Sequence, residues 1–176
     1  MPAVPDREIT LVLGGARSGK SRYAESIVAA LPPPWLYVAT AEARDAEMAA
    51  RIAEHRARRA SDWHTVEAPR DLVGAIANMS GARGALVDCL TLWLSNLMLA
   101  DADIAAETAR LDAALAGAKR PLVLVSNEVG AGIVPDNALA RAFRDAQGRL
   151  NQQVAARADR VVLMVAGLPL VVKGRS

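Results

Sequence analysis

The chain has 176 residues, 52% of them hydrophobic and 23% charged, a globular composition sized for one domain and too short for two ordinary ones. Its 21 basic and 19 acidic residues leave a net charge of +2, which argues against a dedicated nucleic-acid binder. One cysteine, Cys89, excludes an intramolecular disulfide framework. No apolar run reaches the roughly 18 residues that span a bilayer. The start of the chain, with Pro2 and Pro5, resembles neither a signal nor a transit peptide, so a cytoplasmic, soluble domain is expected.

In chain order, Ile9–Leu13 is an apolar, β-branched run that reads as a buried strand, bounded by Gly14-Gly15. Gly19–Leu31 reads as a helix that Pro32-Pro33-Pro34 must end. Trp35–Ala39 is a second strand. Arg44–Arg59 is helical, with Met48, Ile52 and His55 at i, i+4 and i+7. Trp63–Val66 is a short strand, and Pro69–Asn78 starts as a helix with proline in its first turn. Ala85–Val87 is a strand ending at Asp88. Thr91–Leu99 and Ile104–Ala116 are helices, and Pro121–Val125 is a strand followed by Ser126-Asn127-Glu128. Pro135–Ala158 carries a long helical pattern whose apolar face is marked by Leu139, Phe143, Leu150 and Val154. Val161–Val165 and Leu170–Val172, joined across Gly167 and Pro169, fit a hairpin.

Strands alternating with helices predict an α/β fold with a mostly parallel sheet, helices on both faces and an antiparallel strand at one edge. Residues 1–8 read as an extension of this single domain.

Gly14-Gly15-Ala16-Arg17-Ser18-Gly19-Lys20-Ser21 matches G-x-x-x-x-G-K-[ST] between a predicted strand and a predicted helix. In such a loop the backbone N–H groups point inward at phosphate oxygens, and the helix N-terminus adds positive potential. Lys20 is expected to reach the β- and γ-phosphates, and Ser21 to ligate Mg²⁺. Asp88, at the end of its own strand, is the candidate acid for the metal shell. No N-K-x-D element follows a strand, which argues against a signalling GTPase.

His55 sits among Arg56, Arg58 and Arg59. It fits either a packed histidine on an apolar stripe or a nucleophile facing a nucleotide phosphate. Neighbouring guanidinium groups disfavour the imidazolium and so keep the ring nucleophilic. They also neutralise the phosphate oxygens under attack, a setting suited to a phosphoramidate. His64 reads as structural. Glu67 fits an exposed strand end, or a carboxylate accepting two N–H bonds from the edge of guanine, or one binding ribose hydroxyls.

Taken together, these residues resemble the bifunctional adenosylcobinamide kinase / adenosylcobinamide-phosphate guanylyltransferase family, from Ile9 to Lys173. The resemblance rests on the Gly14–Arg22 and Tyr37–Ala41 stretches, the Asp45–Arg59 segment and Trp63–Glu67. It also rests on Asp88–Leu97, on Asn127-Glu128-Val129-Gly130-Ala131-Gly132-Ile133-Val134-Pro135, and on Phe143 through Gly148, Asn151 and Gln152. It implies a RecA-like P-loop fold, ATP or GTP and Mg²⁺, and adenosylcobinamide and its phosphate as acceptors, with no nucleic acid and no membrane span. It further implies a homotrimer. Its reactions are phosphorylation of the acceptor hydroxyl and GMP transfer from GTP through a GMP-histidine, with His55 and Lys20 catalytic. Nucleotide contacts carry over to Gly14 through Ser21, to Ala39, Thr40 and Ala41, to Arg56, Ala57, Arg58 and Arg59, and to Glu67 and Asp88. A plain small-molecule kinase and a non-enzymatic nucleotide-responsive module are the competing readings.

Overall fold

A computed structural model describes residues 7–43, 46, 49–50, 53 and 61–175. Its strands are β1 (Ile9–Gly14), β2 (Trp35–Ala39), β3 (Trp63–Glu67), β4 (Gly84–Asp88), β5 (Leu122–Asn127), β6 (Arg160–Val165) and β7 (Leu168–Lys173). Its named helices are α1 (Lys20–Ala29), α2 (Leu72–Ala77), α3 (Leu90–Leu99), α4 (Ile104–Gly117) and α5 (Ala138–Arg157). Ala46, Ala49, Ala50 and Ala53 are also helical, in keeping with the predicted Arg44–Arg59 helix; the rest of that helix lies outside the described residues.

The strands form one seven-stranded sheet in the order β3-β2-β4-β5-β1-β6-β7. Every pairing is parallel except β6 with β7. The hairpin forms because Ala166 and Gly167 both take positive φ (51° and 82°), as a two-residue primed turn requires. Strand β7 starts earlier than the apolar run suggests, at Leu168, and tolerates Pro169 because it is an edge strand.

Side chains alternate across the pleat and divide the core in two. Leu11, Leu36, Val87 and Leu124 pack one way, against Leu72, Trp93, Leu111 and Leu150 of α2 through α5. Val12, Tyr37, Leu86 and Val125 pack the other way, against Ala24 and Val28 of α1. With helices on both sides, the inner parallel strands β1, β2, β4 and β5 are buried on both faces and read as near-continuous apolar runs, whereas β3, at the sheet edge, is largely exposed. Trp93 is fully buried, and its indole N–H donates to Arg70 O at 2.8 Å. Trp93→Ala leaves a cavity and an orphaned carbonyl, and is expected to cost about 3–5 kcal/mol in urea unfolding.

Two helix starts move. Asp71 caps α2 by accepting from Gly74 N at 3.0 Å, so Pro69 stands outside it. Asn137 caps α5 by accepting from Ala140 N at 2.7 Å, and the carbonyls of Pro135 and Asp136 accept instead from Arg141 Nη1. Leu139, placed by its spacing on the apolar face, therefore lies in the first turn and is 62% exposed.

Candidate nucleotide site

Parallel strands bring their C-terminal ends to one edge, where α/β proteins bind ligands. Here that edge presents, in strand order, Glu67, Ala39, Asp88, Asn127 and Gly14. The span from Glu67 to Gly14 is four strand spacings, roughly 19 Å.

The phosphate loop leaves β1 at Gly14. Gly14 O accepts from Glu128 N at 3.2 Å, which ties the loop to the end of β5. A Cβ on Gly14 would collide with Ser18 Oγ, so the close turn needs glycine there. Ser18 N donates to Gly15 O at 3.3 Å, and Arg17 and Gly19 take positive φ (56° and 90°). Tyr23 N donates to Gly19 O, opening α1 directly behind the loop. Gly167 N, from the β6–β7 turn, donates to Ser18 O at 3.1 Å and braces the loop from the far side. Gly15, Ala16 and Arg17 are exposed, while Ser18, Lys20 and Ser21 are half-buried.

Lys20 Nζ donates to Gly15 O at 3.0 Å and so folds back over the loop. Burial holds its ammonium below the ordinary lysine range, partly offset by Cys89 and Asp88. A desolvated cation of this kind is poised to gain from an arriving phosphate.

Asp88 is half-buried, and Tyr37 Oη donates to its Oδ2 at 2.9 Å, which fixes the carboxylate. Cys89 is buried, and burial, reinforced by the Asp88 charge, pushes its thiol up to about 11. It stays protonated at neutral pH and is not a nucleophile.

Of the Ala39-Thr40-Ala41 stretch, Ala39 and Ala41 are half-buried and Thr40 is fully buried. Thr40 Oγ1 donates to Cys89 O and accepts from Cys89 N, both at 2.7 Å, and Thr40 O accepts from Asn96 Nδ2 at 2.8 Å. The hydroxyl clamps β2 to the end of β4, and its donor is spent there. Thr40→Val keeps the shape but orphans both Cys89 backbone groups; about 1–3 kcal/mol of stability is expected to go, read as a lower urea midpoint.

Glu67 is exposed and borders an open depression of about 500 Å³ that runs from Val66 to Asn78. His55 and Arg56, Ala57, Arg58 and Arg59 lie outside the described residues.

Behind the site, residues of three matched stretches join Ser126 in a buried polar network that the motifs alone do not reveal. Thr91 Oγ1 accepts from Asn127 N at 2.8 Å, and Asn151 Nδ2 donates to Asn127 O at 3.0 Å. Gln147 Nε2 and Ser126 Oγ both donate to Asn151 Oδ1. These bonds lock the end of β5 next to the phosphate loop. The available signal was two polar residues, Gln147 and Asn151, four apart within the apolar stripe of α5.

This strand order and loop define a P-loop protein of the RecA-like type, and comparison with solved structures agrees. A KaiC-like protein of Pyrococcus horikoshii superimposes with a TM-score of 0.55 at 13% identity, covering 99% of this chain and 82% of its own. The RadB recombinase gives 0.56 at 15%, covering 96% and 81%. More narrowly, the chain belongs to the cobinamide kinase / cobinamide phosphate guanyltransferase family, whose model matches residues 10–172. It is 48% identical to the bifunctional adenosylcobalamin biosynthesis protein CobP of Pseudomonas aeruginosa, over 93% of this chain and 96% of the relative. It is 43% identical to CobU of Salmonella typhimurium, over 93% and 98%.

Proposed function

We propose that the chain phosphorylates the hydroxyl of adenosylcobinamide with ATP or GTP, then transfers GMP from GTP to the resulting phosphate, giving adenosylcobinamide-GDP and pyrophosphate. The observation that carries this reading is the single edge on which Lys20, Ser21 and Asp88 meet the start of the segment that bears His55. That segment leaves β2 at Ala39, where Thr40 N donates to Asp88 O at 3.3 Å.

In the first reaction the acceptor oxygen attacks the γ-phosphorus, and Lys20 with the loop N–H groups balances the developing charge. In the second, His55 attacks the α-phosphorus of GTP and pyrophosphate leaves. The acceptor phosphate then displaces the histidine. Arg56, Arg58 and Arg59 offset charge at the α-phosphate. Gly14–Ser21 would hold the phosphates, Ala39, Thr40 and Ala41 would frame the edge, and Glu67 would read the guanine base. Contact at both ends requires the nucleotide to lie extended across the strand ends.

The Ser21 hydroxyl and Asp88 carboxylate are hard oxygen donors. Among the described residues there is no cluster of three His, Cys, Asp or Glu side chains. This donor set suits Mg²⁺ completed by phosphates and water rather than an all-protein cage. When bound, the ion would neutralise phosphate charge.

We further infer a cytoplasmic homo-oligomer, with a trimer as the first model. Strand β7 exposes Leu168, Leu170 and Val172 along an unpaired sheet edge, the kind of surface a second subunit covers. No helix of the described residues is long and apolar enough to cross a membrane.

The test supplies adenosylcobinamide, ATP, GTP and Mg²⁺ and follows products by chromatography. Adenosylcobinamide phosphate should appear first, then adenosylcobinamide-GDP with stoichiometric pyrophosphate. Phosphorylation without GDP conjugate would reduce the chain to a plain kinase, and neither product would leave a nucleotide-binding module.

A further inference from the structure

The Asn127–Pro135 stretch is the most distinctive motif with no chemical task in the two reactions as described so far. Its first two residues sit against the phosphate loop. Asn127 pairs with Gly14 across β5 and β1, and Glu128 N donates to Gly14 O at 3.2 Å. Glu128 thus directly follows the strand end that adjoins the phosphate loop.

Its carboxylate is exposed and anchored. Glu128 Oε1 accepts from Gly130 N at 2.6 Å. Among the described residues no cation pairs with it. An added Cβ on Gly130 would stand 2.9 Å from Oε1, so a side chain there would push the carboxylate aside. The backbone beneath is rigid as well, because Thr91 and Asn151 hold both sides of Asn127.

An anchored carboxylate with no cation beside it among the described residues, on the residue whose N–H bonds Gly14 O, is electrostatically unfavourable for binding a polyanion alone. Its presence calls for a compensating role. Of the two proposed reactions, only one breaks an alcohol O–H, whose pKa is far above that of an imidazolium. The kinase step consumes an alcohol, whose O–H must break. Guanylyl transfer begins with attack by imidazole and ends with attack by a phosphate, neither of which needs an alcohol deprotonated.

We propose that Glu128 is the general base of the kinase step, an assignment that rests on the function proposed above. Glu128 takes the proton from the acceptor hydroxyl as its oxygen bonds to the γ-phosphorus. The bond from that phosphorus to the β-bridging oxygen breaks, and the nucleoside diphosphate leaves. The proton then passes from Glu128 to water, which restores the carboxylate. Positioned bases of this kind contribute about 10²–10⁴-fold.

Glu128→Gln is the decisive variant, because a glutamine Oε1 still accepts from Gly130 N while the charge and basicity go. The expected result is a kinase kcat lower by about 10²-fold or more, with the KM for ATP little changed. Formation of the GMP adduct from GTP, and transfer to pre-formed adenosylcobinamide phosphate, should stay near the wild-type rate, which also verifies folding. Gly130→Ala displaces the carboxylate without removing it and should lower the kinase rate less, again sparing transfer. A Glu128→Gln enzyme with an undiminished kinase rate overturns the assignment. So does equal loss of both reactions, which would make Glu128 a prop for the loop. A wild-type enzyme that phosphorylates no cobinamide overturns the kinase reading itself, and the base with it.

Discussion

His55→Ala is expected to abolish guanylyl transfer and to leave the kinase reaction near its wild-type rate, if His55 is the nucleophile proposed here. The transfer rate is expected to fall by roughly 10³-fold or more, because the variant loses the atom that forms the covalent bond rather than a group that assists it. The kinase step uses the γ-phosphorus, and nothing in it requires an imidazole. The two half-reactions, assayed separately with adenosylcobinamide and with its phosphate, read this split directly. Loss of both reactions would instead mark His55 as a packed residue of the apolar stripe that Met48 and Ile52 begin.

Lys20→Ala is expected to behave oppositely and to remove both reactions. The ammonium sits over the loop on Gly15 O, partly desolvated, where the proposed reactions would each place a triphosphate. Losing one preorganised donor of this kind costs about 10²–10³-fold in rate. Triphosphate binding should weaken in calorimetry as well. Folding should suffer little, because Gly15 O is the only hydrogen-bond partner the side chain has among the described residues, and burial of the charge outweighs its attraction to Asp88. Urea unfolding is expected to match wild type within about 0.5 kcal/mol. Arginine is a poor rescue, since its planar fork does not fit a cradle built around a compact ammonium.

The phosphate loop was legible in the sequence because its chemistry depends on fixed offsets within one short stretch, with Gly14 where Ser18 crowds the backbone and Gly19 where φ is positive. Asp88 was legible as an acid at a strand end. Its partner Tyr37 was not, since the two lie on neighbouring strands that sequence order separates by β3. Thr40 shows the limit most clearly. A threonine in a motif reads as a ligand contact, yet its hydroxyl is turned inward onto Cys89. Orientation across the pleat depends on register, which a single strand does not reveal. Leu139 fails for a related reason. A side-chain cap at Asn137 starts the helix later than the apolar spacing implies. The placement of β1 between β5 and β6 was likewise invisible locally, although it is what sets Glu128 beside Gly14.

Whether one phosphate loop serves both a γ-phosphoryl transfer and a nucleophilic histidine is tested most directly by intact-protein mass spectrometry after incubation with GTP, Mg²⁺ and pyrophosphatase, beside His55→Ala. A GMP adduct that is acid-labile, base-stable and absent from the variant is the predicted result. A wild-type mass unchanged by GTP, with pyrophosphate continuously removed, contradicts it and leaves His55 without a covalent role.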